Sequence, residues 1–122
     1  MGSRMNDLRE RWASYLNQDI GSNSYENKNI SLSEDAVIEN PVCKGVLSKL
    51  GILVGDLRRV YYLSGEVTFY GLGISICVFK DTVRYIEIIA TKVVRENIGE
   101  MLRETNGYRL SSNKTSLLIA LI

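Results

Sequence analysis

The sequence predicts an α+β domain, a mainly antiparallel sheet of four to five strands packed with helices. Three observations lead there. Apolar residues between Arg58 and Ala90 recur with the strand period of two. Residues 40–50 and 92–106 recur instead at helical spacing and carry helix start and stop signals. The chain closes on TSLLIALI, residues 115–122, a run too apolar for a surface element.

The bulk composition fits that class. The chain has 122 residues, 45% hydrophobic and 24% charged, the balance of one ordinary globular domain. A chain of this length closes a core without metal or disulfide staples. Residues 1–4 of MGSRM read as the remnant of an expression tag ahead of Met5. Lys and Arg total 15 against 14 Asp and Glu, with no segregation between the halves, which argues against a dedicated nucleic-acid binder. No signal peptide and no membrane-length apolar run is seen, so an intracellular, cytoplasmic protein with both cysteines, Cys43 and Cys77, reduced is expected.

Residues 5–17 read as a peripheral helix. Met5, Leu8, Trp12, Tyr15 and Leu16 form its apolar stripe, and Asp7 with Glu10 resembles a capping box. The helix either docks on the domain through Trp12 or serves as an oligomerisation helix. Residues 18–32, QDIGSNSYENKNISL, read as a polar linker, which puts the start of the single α+β domain at residue 33. A second helical region begins at Ser31, where Ser31 and Glu34 could form a capping box, but Pro41 interrupts it, and the better-marked helix covers 40–50. Asn40 is a good N-cap, Pro41 suits the first helical position, and Gly51 suits the stop. Val42, Cys43, Val46, Leu47 and Leu50 share its apolar face, so Cys43 is a core residue.

Two hairpins follow. A two-residue Ser64-Gly65 turn would oppose Val60 to Phe69 and Tyr62 to Val67 on a core face. Arg59, Tyr61, Leu63, Glu66, Thr68 and Tyr70 would then share the other face. Gly71 and Gly73 suggest a bulge, a bend or a close backbone approach. In the second hairpin, Ile74, Ile76 and Val78 must face the same core as Ile86, Ile88 and Ala90. Because the side-chain period is two, this needs a connection with an odd number of residues, such as Lys80-Asp81-Thr82, or an even turn corrected by a bulge. Ile76 then pairs with Ile86, and Ser75, Cys77, Phe79, Val83, Tyr85 and Glu87 gather on the opposite face.

Residues 92–106 form the clearest helix. Val94, Ile98, Met101, Leu102 and Thr105 lie on one face, and Arg103 follows Glu100 at pairing distance. YRLSS, from Tyr108, suggests a short strand. The terminal run is apolar on both sides, with Leu117, Ile119 and Leu121 alternating with Leu118, Ala120 and Ile122. It is either a central strand or one lying at a truncated domain edge.

Chemistry is sparse. The chain has no histidine, which removes the Ser-His-Asp and Cys-His arrangements and every histidine metal site. Glu96, Glu100 and Glu104 lie four apart along one helix side, where a divalent cation could bridge two of them. A solvated face balanced by Arg95 and Arg103 explains them as well. No cofactor, no metal site and no enzymatic activity is expected. The expected function is a protein-interaction or assembly module, a small subunit of a larger complex or a homodimer. Its binding residues are expected on the aromatic sheet face: Arg59, Tyr61, Tyr70, Phe79, Tyr85 and Glu87. Two alternatives rank behind it: an OB-type barrel stacking single-stranded nucleic acid on that face, and a small-ligand pocket between sheet and helix.

Overall fold

The computed structural model describes residues 24–122. The expected helix over residues 5–17 lies outside the described residues. The described chain is α+β. It has three α-helices, α1 (Ser24–Glu39), α2 (Pro41–Leu50) and α3 (Lys92–Met101). Its six strands are β1 (Arg58–Tyr61), β2 (Glu66–Gly71), β3 (Ile74–Phe79), β4 (Thr82–Ile89), β5 (Tyr108–Ser112) and β6 (Ser116–Leu121). All pairings are antiparallel, and the sheet order is β1-β2-β3-β4-β6-β5.

α1 replaces much of the expected linker. Residues 24–32 are helical, and Ile30, within the expected linker, reaches the core. The reason is packing rather than propensity. Ile30, Ser33 and Val37 are buried one to a turn, a stripe too narrow to outweigh the surrounding Asn and Ser when read along the chain. α1 rests on β1, β3 and β4.

α2 follows its caps. Pro41 occupies the first turn, where its missing N–H is not needed. The Asn40 Oδ1 accepts from the Val42 and Cys43 N–H groups, both at 3.0 Å. At the other end Ile52 N–H donates to Leu47 C=O and Gly51 N–H to Ser48 C=O, a Schellman closure. Val42, Cys43, Val46 and Leu47 are buried as the spacing predicts. Thr91 caps α3 by accepting from the Val94 N–H, and Ile98 and Leu102 enter the core. The expected Glu100–Arg103 pair forms at 3.2 Å on the solvent side.

Both hairpin registers differ from expectation in their turns. The first loop holds three residues, Leu63-Ser64-Gly65. Tyr62 N–H donates to Glu66 C=O at 2.8 Å, and Gly65 N–H donates to Tyr62 C=O at 2.9 Å. Gly65 sits at φ +95, which a side chain resists, so this glycine permits the third residue. The extra residue slips every pair by one: Arg59 opposes Phe69 and Tyr61 opposes Val67. Tyr61 therefore turns inward, 7% exposed, and Tyr62 turns outward.

The second loop holds two residues. Lys80 and Asp81 both adopt left-handed φ, 51 and 59, the type I′ pattern. Phe79 then pairs with Thr82 rather than Val83, and Arg84 is the extra residue of a bulge before Tyr85. The bulge restores parity, so Ile76 still opposes Ile86 and both are fully buried.

The core lies between the helices and one sheet face, here the inner face. Its buried strand residues are Tyr61, Val67, Phe69, Ile74, Ile76, Val78, Val83, Ile86, Ile88, Leu117 and Ile119. Val83, expected on the other face, joins them through the shortened turn. The sheet is open. β1 and β5 each pair on one side only among the described strands, so the closed barrel analogy does not describe this architecture. No described helix is long and apolar enough to cross a membrane.

Candidate functional site: the outer sheet face

The strand registers sort the outer side chains into cross-strand rows. One row runs Arg58, Tyr70, Ser75, Glu87, Leu118 and Ser111. The next runs Val60, Thr68, Cys77, Tyr85, Ala120 and Arg109. Glu66, Phe79 and Thr82 form a third row, and Ile89 stands beside Ser116 at the other end. None of these residues belongs to the helix-covered core cluster.

The face is uneven. Toward β1 to β3 it is closed: Val60 and Thr68 are buried, and Tyr70, Ser75, Cys77 and Phe79 are half-buried. Thr68 Oγ1 also donates to Glu66 Oε2 at 3.0 Å. Toward β4 and β6 it is open and apolar: Ile89 is 64% exposed, Tyr85 51% and Leu118 38%. Glu87 and Arg109 stand exposed beside them.

The residues expected to form one binding face divide. Tyr70, Phe79, Tyr85 and Glu87 lie on the outer face. Arg59 and Tyr61 do not, because the three-residue turn placed them on the inner one. Arg59 pairs with Glu34 of α1, donates to the Val54 carbonyl at 3.3 Å and lies over the Phe69 ring at 5.6 Å. It pins the helix layer to the sheet edge, and Tyr61 is core. Ile89 and Leu118 are the members that sequence reading missed. Their signal was present: Ile89 follows Glu87 by two, and Leu118 stands on the second apolar side of the terminal run.

The other candidates are quieter. Burial pushes the Cys43 thiol up to about 12, so it is held as the neutral thiol in α2. Among the described residues no three His, Cys, Asp or Glu side chains come together to hold a metal ion. Arg95, expected on the solvated face with the glutamates, is half-buried and donates through Nη1 to the Ala90 carbonyl. Between α3 and β5 runs an open groove of about 660 Å³, lined by Glu96, Asn97, Gly99, Glu100, Arg103, Tyr108 and Leu110.

Comparison of the chain with protein-family models, with curated proteins and with solved structures gave no match.

Proposed function

We propose that the chain is a non-catalytic protein-interaction module that binds a protein partner through the β4–β6 half of its outer sheet face. The observation that carries this is the treatment of β6. It is an interior strand, apolar on both sides, yet Leu117 and Ile119 are covered while Leu118 is not. Ile89 and Tyr85 extend the open side across β4. Interior strands with two apolar sides are normally covered on both. Exposed apolar groups gathered on one surface and rimmed by charge mark interaction sites. Here the rim is Glu87 and Arg109, of opposite sign, which suits a protein surface of mixed charge.

Single-stranded nucleic acid is the weaker reading. The Tyr85 ring is available for stacking, but Arg59 is committed to Glu34 and Glu87 stands among the outer residues.

The experiment compares wild type with Ile89→Asp/Leu118→Asp in affinity capture from the native source. Both side chains are exposed, so the variant should keep its circular dichroism and thermal midpoint. A protein held by wild type and lost from the variant supports the reading. Identical capture by both ends it. Binding of a labelled oligothymidine with steep salt dependence would transfer the face to nucleic acid.

A further inference from the structure

Among the described strands the sheet has two edges, β1 and β5, and they differ. β1 is four residues long, begins with two arginines and carries Arg59 locked to α1. Among the described residues β5 has less protection: its one arginine, Arg109, stands on the outer face opposite Ala120. The strand has no proline and no bulge against β6, and four of its five residues are exposed. An unprotected edge is a template for another strand.

The hydrogen-bonding pattern fixes which groups that edge offers. Ile122 N–H donates to Gly107 C=O, and Asn113 N–H donates to Ser116 C=O. Bonded pairs alternate along an antiparallel ladder, so within β5 Arg109 and Ser111 bond to β6. The peptide groups of Tyr108, Leu110 and Ser112 therefore point away from the sheet. Their side chains share the inner face with Ile119 and Leu117, and border the groove under α3.

These outward groups are spaced evenly about Leu110. An antiparallel copy of the same strand, related by a two-fold axis at Leu110, matches each of them: Leu110 to Leu110, and Tyr108 to Ser112. Leu110 is 41% exposed, a large apolar side chain at the centre of that symmetry. It approaches α3 at Gly99, where Leu110 Cδ1 lies 3.9 Å from the position a Cβ would take. The groove holds both charge signs, with Arg103 paired to Glu100 at 3.2 Å. Arg103 stands near Tyr108, whose hydroxyl donates to the Leu102 carbonyl, and Glu96 lies two turns earlier on α3. The net charge of +1 leaves little long-range repulsion between copies.

We infer that two copies of this chain associate edge to edge through β5, forming one continuous sheet with Leu110 at the two-fold axis and the α3–β5 grooves merged across it. Such an interface is isologous and closes at two subunits. It is independent of the outer-face reading. If the chain is a monomer, the outer face retains its proposed role.

The test is sedimentation equilibrium of the full chain over a concentration series, with Leu110→Lys and Leu110→Glu. Wild type should be a dimer. Each variant places like charges side by side at the axis and should weaken dimerisation about 30-fold or more, with an unchanged circular dichroism spectrum. An equimolar mixture of the two variants should recover the dimer, which loss of folding could not produce. If the single variants unfold, Leu110→Pro serves instead. It deletes an outward N–H and leaves the β5–β6 bonds intact. A wild type monomeric throughout the series overturns the inference. So does a dimer that survives both charges but is lost in Ile89→Asp/Leu118→Asp, which would place the contact on the outer face.

Discussion

The inner and outer faces of the sheet come from the same six strands, yet they are built to different rules. On the inner face the cross-strand rows from β2 to β6 are aliphatic or aromatic except at Gly71, and helices cover them. On the outer face the rows mix Arg, Ser, Glu, Thr and rings, and they become open toward β4 and β6. Residues one apart in sequence thus have unrelated duties. Ile88 is 1% exposed and Ile89 64%, with identical side chains. In this molecule residue type says less about role than parity does, and parity is set by the turns.

The contrast can be broken most sharply at its most buried ring. Phe69→Ala should cost about 3–5 kcal/mol of unfolding free energy, whereas Tyr85→Ala on the outer face should stay within about 0.5 kcal/mol, as measured by urea denaturation. Equal losses would mean that both faces are sealed. A subtler version uses neighbouring tyrosines. Tyr61→Ala should destabilise by about 3 kcal/mol and Tyr62→Ala by about 1 kcal/mol or less. The reverse ranking would restore the two-residue turn and the other register.

The smallest effect is a slope. Cys43 is held protonated up to about 12 against an ordinary 9.0, so folding favours its neutral form. Above pH 9 the unfolded chain loses this proton first and binds fewer protons than the native state. The stabilising contribution is therefore complete below pH 9 and declines as pH rises toward 12. Urea midpoints between pH 9 and 11 should fall more steeply for wild type than for Cys43→Ala. Parallel lines would mean that the thiol is reached by solvent.

Much of this was legible along the chain, for physical reasons that differ by element. α2 was marked at both ends, because Asn40, Pro41 and Gly51 are choices that backbone geometry forces. The Ile76–Ile86 pairing was legible because two apolar rows admit few parities. α1 was hidden only in its first half: the helical region was legible from Ser31, but residues 24–30 lie in an Asn-rich segment where helical spacing has no contrast. The first hairpin failed on one residue, since Ser-Gly satisfies a two-residue turn as readily as Leu-Ser-Gly satisfies a longer one. That single residue moved Arg59 and Tyr61 out of the candidate site. It could be decided only by what lies beneath, where Glu34, the Val54 carbonyl and Phe69 together receive the guanidinium. Four of the six expected residues stayed on the outer face, and the exposed aliphatic ones beside them, Ile89 and Leu118, carry a side-chain type that signals core in a sequence as readily as surface.

The position of β6 between β4 and β5 bears on how the chain is made. During synthesis residues 58–89 emerge before β5 and β6 and can zip up as a local meander. β4 then waits with a bare flank, and β5 with no partner, until residues 116–121 clear the ribosome. β6 is thus a keystone: closure of the sheet waits on residues 116–121, and a nascent chain stalled short of them would present β4 to whatever strand came near.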